Sequence, residues 1–238
     1  MKFSTSKTEL QKALQKLSKA TPTRSTLPIL SCVYIEVFDD KTILRTTDLE
    51  ITIQVEIATS YEEKGSAALP LKTLLEITNE LPEVRLTISI DEKHKATIET
   101  DLGKYDIMSR PSEEFPTSPK QKKSNAILIS GMVLKNIIES TSFAVSQDEL
   151  KPSLTGVLFK FSENGFTAVA TDGHRLVKHS RSDFSTESFN GEVIVPKKFL
   201  SYLNTQLSDE KITLIMGENF LTAQLKNDIA ITKIIEEK

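Results

Sequence analysis

The chain has 238 residues, of which 38% are apolar and 26% are charged, a composition typical of a globular protein with one large core or two smaller ones. Its formal net charge of −3 disfavours a protein that coats nucleic acid with its whole surface. Short apolar runs broken by charge, the lack of a secretory signal and a single cysteine, Cys32, predict a cytoplasmic protein without membrane-spanning helices.

A first helix is predicted close to the start of the chain. Ser6 and Glu9 have the spacing of a capping box, in which the serine hydroxyl accepts a hydrogen bond from a first-turn amide. The apolar residues that follow recur at the helical period and should form one buried face: Leu10, Ala13, Leu14 and Leu17. A second helix is predicted over residues 71–80, because Pro70 is tolerated where a first helical turn begins.

Much of the remaining chain alternates apolar and polar residues, which predicts half-buried antiparallel strands. In the first half of the chain this pattern covers residues 33–37, 51–57 and 86–90. Turn residues separate such strands, as hairpins require, at Asp39-Asp40, Glu163-Asn164-Gly165 and Gly217-Glu218-Asn219. We therefore predict an α+β unit in which two helices pack on an antiparallel sheet.

The same pattern occurs twice along the chain. Pro28, Leu30 and Thr47-Asp48 recur 124 residues later as Pro152, Leu154 and Thr171-Asp172, and the helix starts recur at Ser130 and Pro196. Agreement in several blocks that follow one order indicates two tandem copies of one unit. The polar, proline-bearing segment 116–124 between them is the predicted linker, which gives domains at 1–120 and 125–238.

Four segments resemble the bacterial DNA polymerase III beta subunit family, whose members are sliding clamps. They are residues 27–30, 47–50, 169–176 and 193–198, and the string Thr-Asp-Gly-His-Arg-Leu within the third is quite specific. The resemblance covers the whole chain and implies tandem DNA-clamp domains, three in each protomer. It implies a ring of two protomers, joined head to tail, whose helices line a hole for duplex DNA. We expect the first two domains here and the third to be absent from this chain.

The resemblance implies a non-catalytic processivity factor of the replicative DNA polymerase, without a cofactor. Its expected partners are double-stranded DNA of any sequence and, through linear peptides, the polymerase catalytic subunit, the clamp loader and repair proteins. A full-length protein is expected to be a homodimer. This two-domain chain is expected to be mainly a monomer, because the candidate edge strand, Gly103–Met108, would stay unpaired.

Positive charge is enriched on and beside the predicted helices, although the chain is acidic. The basic residues are Lys7, Lys12, Lys16, Lys19, Arg24, Lys72, Lys135, Lys197 and Lys198, against Glu9, Glu76, Glu80 and Glu139. Taken singly, each lysine is explained by a solvated helix face, but together on one concave surface they would attract phosphates without reading bases. The resemblance, with neighbouring residues, gives as DNA contacts Arg24, Lys72, Gln147, Lys151, Pro152, Ser153, Lys197 and Lys198.

The resemblance also implies a hydrophobic cleft for short linear peptides, formed by Leu154, Thr171, Gly173, His174, Arg175 and Leu176. Gly173 would let a peptide backbone approach closely, and Leu154 and Leu176 would supply apolar walls. Ordinary core packing also explains Leu154, since its counterpart Leu30 belongs to a unit without such a cleft.

Two other functions are open from the residues alone. One is an enzyme acting on nucleotides, in which an imidazole near a carboxylate, as in His174 and Asp172, is a general base. No Gly-x-Ser-x-Gly motif or glycine-rich phosphate loop accompanies the pair, and the sequence favours a turn shared by the two copies. The other is a protein-interaction module with no DNA role, which the basic helices disfavour. No metal site is predicted, because no cysteine, histidine and carboxylate cluster has ligand spacing.

Overall fold

The computed structural model describes residues 1–22, 24–39, 41–119, 125–163, 165–184, 186 and 188–236. The chain forms two compact units: the first is Met1–Ser118 with Asn227–Ile229, and the second is Pro119–Lys226 with Ala230–Lys238. Three sequence predictions fall partly outside the described residues. They concern Asp40 and Asn164 of two predicted turns, and residues 120–124 of the predicted linker.

The first unit contains two helices, α1 (Lys7–Leu17) and α2 (Leu71–Glu80). Its strands are β1 (Lys2–Ser6), β2 (Cys32–Val37), β3 (Lys41–Thr47), β4 (Ile51–Ala58), β5 (Ser60–Glu63), β6 (Gly65–Pro70), β7 (Arg85–Ile90), β8 (Lys95–Thr100) and β9 (Gly103–Met108). Neighbouring strands are antiparallel, in the order β5-β1-β7-β8-β9 in one sheet and β4-β3-β2-β6 along another.

The second copy repeats this plan with helices α3 (Gly131–Thr141) and α4 (Lys197–Gln206). Its strands are β10 (Ala126–Ser130), β11 (Gly156–Ser162), β12 (Gly165–Thr171), β13 (Leu176–Arg181), β14 (Gly191–Pro196), β15 (Lys211–Met216), β16 (Phe220–Gln224) and β17 (Asp228–Lys233), of which Asp228 and Ile229 belong to the first compact unit. The strand orders are β13-β12-β11-β14 and β10-β15-β16-β17. The predicted α+β class with antiparallel sheets in tandem copies is confirmed.

The helices begin where the sequence predicts. Ser6 Oγ accepts a hydrogen bond from Glu9 N at 3.1 Å, which is one half of the predicted capping box. Ser130 stands before α3 in the same way, but its side chain caps no amide of that helix. Gly131 N instead donates to Glu210 O at 2.9 Å. The first amide of α3 is therefore satisfied by the backbone of a neighbouring segment.

Each unit has its own core, in which the helices bury one apolar face. Leu10, Leu14 and Leu17 of α1 are fully buried, and α1 packs against α2. The equivalent faces of α3 and α4 are buried through Leu134, Ile137, Ile138, Phe199, Leu200 and Leu203. Each fully buried leucine side chain stabilises the fold by roughly 1.5–3 kcal/mol relative to leaving it in water. Among the described residues, no helix is long and apolar enough to cross a membrane.

The strand β9 lies at the end of its sheet, which confirms the prediction of an edge strand at residues 103–108. Most of its residues are exposed, and Met108 retains 64% of its accessible surface. Two ion pairs of 2.8 Å, from Lys104 to Glu99 and from Lys95 to Asp106, link it to β8. Charges of this kind on an edge disfavour uncontrolled pairing with other chains.

Candidate functional site

The turn between β3 and β4 in the first unit is held by a threonine and an aspartate. Thr47 Oγ1 donates to Ile51 O at 2.9 Å and accepts from Leu49 N at 3.0 Å. Asp48 Oδ1 accepts from Glu50 N at 3.0 Å and from Ile51 N at 2.7 Å. Leu49 has a φ of 75°, a left-handed conformation that is strained for a residue with a side chain.

The turn between β12 and β13 in the second unit has the same hydrogen bonds. Thr171 Oγ1 donates to Arg175 O at 2.7 Å and accepts from Gly173 N at 3.1 Å. Asp172 Oδ1 accepts from His174 N at 3.0 Å and from Arg175 N at 2.9 Å. Gly173 takes the left-handed position with a φ of 88°. The Thr-Asp pair is therefore a turn motif shared by both copies, as the sequence favours.

The second turn differs from the first in the surface that it presents. Arg175 Nε contacts Asp172 Oδ2 at 3.0 Å, and a second nitrogen of its guanidinium donates to Phe143 O at 2.8 Å. The guanidinium carbon also lies 5.7 Å from the centre of the Phe143 ring. Phe143 is 54% exposed and Leu176 is 66% exposed, while His174 is exposed beside them. We call Phe143, His174, Arg175 and Leu176 the turn patch.

Phe143 is a member of the turn patch that sequence reasoning missed. It follows α3 directly, in a short 3-10 segment, Ser142–Ala144. The repeat carries a signal that could have found it, since its counterpart 124 residues earlier is Lys19, which is charged and exposed. The surface beside Arg175 therefore carries an aromatic side chain in the second copy where the first copy carries a lysine.

Asp172 and His174 do not form the pair that a general base requires. Within the described residues, the Asp172 carboxylate contacts the His174 backbone amide, and no hydrogen bond joins it to the imidazole. The amides of Arg175 and His174 hold the pKa of Asp172 below its ordinary value. The carboxylate therefore has a structural use in the turn. The part of the chain that is described also contains no group of three or more His, Cys, Asp or Glu placed for a metal ion.

A groove of about 660 Å³ lies beside the 3-10 segment Pro152–Leu154 of the second unit. Its walls are Leu150, Lys151, Pro152, Ser153, Leu154, Ile234, Ile235 and Glu236. The predicted DNA contacts Lys151, Pro152 and Ser153 thus share one groove with Leu154, which was predicted for the peptide cleft. Leu154 is half-buried, whereas its counterpart Leu30 is 3% exposed. Packing in the core therefore explains the position of Leu30 but only part of the position of Leu154.

Four residues that line this groove were not predicted from the sequence: Leu150, Ile234, Ile235 and Glu236. Leu150, at 90% exposure, has no periodic pattern around it, and the three later residues reach the groove only through the fold. The predicted cleft residues therefore occupy two features, with Leu154 in the groove and the other five in the second turn. The segment from Phe143 to Ser146 contacts both, because Ser146 N donates to Leu154 O at 2.9 Å.

The predicted DNA contacts are accessible to solvent. Arg24, Lys72, Gln147, Lys151, Pro152, Ser153 and Lys198 are exposed, and Lys197 is half-buried. Lys72 and Lys198 occupy the same position, the second residue of α2 and of α4. Arg24 and Gln147 lie in loops that follow the first helix of each copy.

Among the described contacts, Lys16 and Lys72 of the basic set lie against carboxylates. Lys16 Nζ lies 2.5 Å from Asp228 Oδ2, whose side chain is only 6% exposed. Lys72 Nζ lies 3.8 Å from Glu76 Oε1, one helical turn away. The positive charge that the helices present to a ligand is therefore smaller than a count of basic residues suggests.

Two family models match the chain: the DNA polymerase III beta subunit N-terminal domain over residues 1–119 and the central domain over residues 128–238. A beta sliding clamp of Chlamydia pneumoniae is 30% identical over 236 residues, which are 99% of this chain and 64% of that protein. This chain therefore spans less than two thirds of the length of that relative.

Solved structures agree with the family models. The Bacillus subtilis DNA polymerase sliding clamp matches with a TM-score of 0.95 and 28% identity, over 100% of this chain and 65% of its own. A Pseudomonas aeruginosa sliding clamp bound to griselimycin matches with a TM-score of 0.93 and 28% identity, over the same shares. The chain, with its two successive matching domains, belongs to the DNA polymerase III beta subunit family.

Proposed function

We propose that this chain functions in a DNA sliding clamp, the non-catalytic processivity factor of the bacterial replicative DNA polymerase, in the cytoplasm. The observation that carries the proposal is the match of the N-terminal and central domain models to two successive units of one fold. In this proposal a full-length protein forms a homodimeric ring around duplex DNA. The polymerase catalytic subunit, the clamp loader and repair proteins dock on it through short peptides.

Attraction to DNA is assigned first to Lys72 and Lys198. Each is the second residue of its helix, at the N-terminal end where the helix dipole adds to the positive field. The Lys72 side chain is 89% exposed, so it can extend to a phosphate without leaving contacts in the protein interior. A lysine repeated at one position in both copies provides attraction to the DNA backbone that does not depend on base sequence.

The loop residues complete the proposed DNA surface. Arg24 and Gln147 follow the first helix of each copy, and Lys197 adjoins Lys198. Lys151, Pro152 and Ser153 are proposed for DNA on the resemblance alone, since the structure places them in the groove with Leu154. Their contribution to DNA affinity is therefore expected to be smaller than that of Lys198.

Peptide docking is assigned to the turn patch, with Thr171 and Gly173 beneath it and Leu154 in the groove. Exposed apolar side chains beside an arginine suit a short peptide with apolar anchors and a carboxylate or a backbone carbonyl. Gly173 has open space around the position of a Cβ, so a peptide backbone can approach it. The Pseudomonas aeruginosa relative bound to griselimycin supports ligand binding by a clamp of this fold.

Fluorescence anisotropy with two labelled duplexes of unrelated sequence tests the DNA proposal. Binding should weaken steeply with salt and equally for both duplexes. Lys198→Glu should weaken both equally and reduce the salt slope by about one to two. Lys178→Glu, at an exposed lysine of β13, is the matched control and should have a smaller effect. A preferred duplex sequence would contradict a sliding role.

Turnover measurements on nucleotides and DNA ends test the rival enzyme function. The proposal expects no turnover above that of the Asp172→Asn and His174→Ala variants. Activity that disappears in both variants would overturn the non-catalytic assignment, whereas a protein-interaction module would show neither turnover nor salt-dependent binding to DNA.

A further inference from the structure

Arg175 is an exposed side chain whose head group is held on three sides. Its Nε contacts Asp172 Oδ2 at 3.0 Å, and a terminal nitrogen of the guanidinium donates to Phe143 O at 2.8 Å. The Phe143 ring lies against the guanidinium, with its centre 5.7 Å from the guanidinium carbon. These contacts fix the end of a side chain that would otherwise sample many rotamers in solvent.

Buried neighbours fix the backbone that carries Phe143. Thr141 and Ala144, on either side of it, are completely buried, and Val145 is buried next to them. Thr141 Oγ1 also donates to Ile137 O at 2.7 Å, one turn earlier in α3. The Phe143 carbonyl is therefore held at a defined place, and the exposed ring can be replaced without removing this segment from the core.

The two copies differ at both members of the contact between Phe143 and Arg175. Ile51, the counterpart of Arg175, is 2% exposed, and Lys19, the counterpart of Phe143, is exposed to solvent. The first copy therefore has neither the guanidinium nor the ring, although its turn has the same hydrogen bonds. The Thr-Asp turn forms without this contact, so the contact has a use other than building the turn.

The contacts of Arg175 leave part of its guanidinium available to a ligand. Asp172 takes the Nε–H group, and Phe143 O takes one N–H of a terminal nitrogen. Among the described residues, the other N–H groups of this guanidinium make no hydrogen bond within the chain. Leu176, the next residue, adds an exposed apolar side chain. The turn patch can therefore offer a peptide both an apolar surface and N–H donors.

We propose that Phe143 is a positioning residue for peptide docking, which holds the Arg175 guanidinium in the orientation that donates to a carbonyl of the bound peptide. A guanidinium that is already ordered loses less entropy when a ligand binds, so the affinity rises without a new contact. The inference rests on the proposed docking function of the turn patch. It goes beyond that function because Phe143 acts through Arg175, whereas an apolar wall at the same position would act without it.

Affinity for one peptide, measured by anisotropy on the whole 238-residue chain, tests the proposal. The probe is an acetylated, amidated hexapeptide, selected from a random library for binding to the unchanged chain and for a loss of affinity in Leu176→Ala. Phe143→Ala should weaken it roughly threefold to fivefold. Phe143→Leu should weaken it equally, because leucine is apolar and lacks a ring, whereas Phe143→Trp should restore the affinity. Phe38→Ala, at another exposed phenylalanine, is the matched control and should change nothing.

A double-mutant cycle separates positioning from direct contact with the peptide. In the Arg175→Ala background, Phe143→Ala should cause no further loss of affinity, because the ring then has no guanidinium to hold. Equal losses in both backgrounds, or full affinity in Phe143→Leu, would overturn the proposal while leaving the docking function in place. Failure to obtain any peptide that Leu176→Ala weakens would overturn the docking function, and this inference with it.

Nitrogen-15 NMR of the arginine side chains measures the position of Arg175 without a peptide. Rotation about the Cζ–Nε bond of Arg175, assigned from the signals that disappear in Arg175→Ala, should be slow in the unchanged chain. It should be faster in Phe143→Ala and slow again in Phe143→Trp. Rotation that is equally fast in all three chains would show that Phe143 does not hold the guanidinium.

Discussion

The turns at Thr47–Ile51 and Thr171–Arg175 have the same backbone hydrogen bonds and different surfaces. In the first, Leu49 bears a strained φ and Ile51 is 2% exposed, so the turn ends in the core. In the second, glycine occupies the strained position and the Arg175 side chain is 57% exposed. Duplication kept the residues that hold the turn and changed those that a partner could touch. The comparison thus separates the positions that hold the turn from the positions that differ on its surface.

The largest expected effect concerns the threonines. Thr47→Val removes a hydroxyl that makes three hydrogen bonds at 4% exposure, and it should lower the free energy of unfolding by about 2 kcal/mol. Thr171→Val removes the equivalent hydrogen bonds of a turn that is nearer the solvent. It should therefore lower the free energy of unfolding by less than Thr47→Val does. Urea denaturation of both variants measures the difference. Equal losses would show that burial does not distinguish the two turns.

A second comparison concerns peptide affinity. Leu176→Ala removes an exposed wall of the turn patch and should weaken a clamp-binding peptide roughly tenfold, about 1.4 kcal/mol. Leu102→Ala is the matched control, since Leu102 is a 64% exposed leucine of the first unit, close to the 66% of Leu176. Isothermal titration calorimetry gives both values. Equal affinity of the two variants would contradict the assignment of the turn patch.

The left-handed position gives a third test. Gly173→Ala should lower the free energy of unfolding by about 1 kcal/mol, because its φ of 88° disfavours a Cβ although the space around it is open. Leu49→Gly should relieve the backbone strain at that position. Its net effect on the free energy of unfolding should be smaller than that of Gly173→Ala, because glycine also raises the entropy of the unfolded chain. Thermal unfolding measures both, and a loss in Leu49→Gly that exceeds that in Gly173→Ala would refute the strain argument.

The smallest expected effect is a dependence on pH. The folded-state pKa of Asp172 is lowered by the amides of Arg175 and His174, so the carboxylate stabilises the fold above its unfolded pKa of about 3.9. That stabilisation is lost as the pH falls through the lower folded value. Asp172→Asn should therefore show a weaker loss of stability in acid than the unchanged chain. Identical acid titrations of stability would contradict this role.

Much of the candidate site was predictable because it lies in one short string. Thr171, Gly173, His174, Arg175 and Leu176 lie within six consecutive residues, and local hydrogen bonds of the turn bring their backbones together. Phe143, Ile234 and Glu236 were not predictable in this way, because they reach the site from distant segments.

By itself, the sequence determined the two copies, their helix starts and the Thr-Asp turns, since periodicity, caps and turn bonds act over a few residues. Only the tertiary structure decided that Lys16 contacts Asp228, that Ser153 and Leu154 line a groove, and that Phe115 is buried in an apolar cluster of the first unit. These facts depend on contacts between residues far apart in the chain. Such contacts follow from how whole faces pack, which no local pattern records.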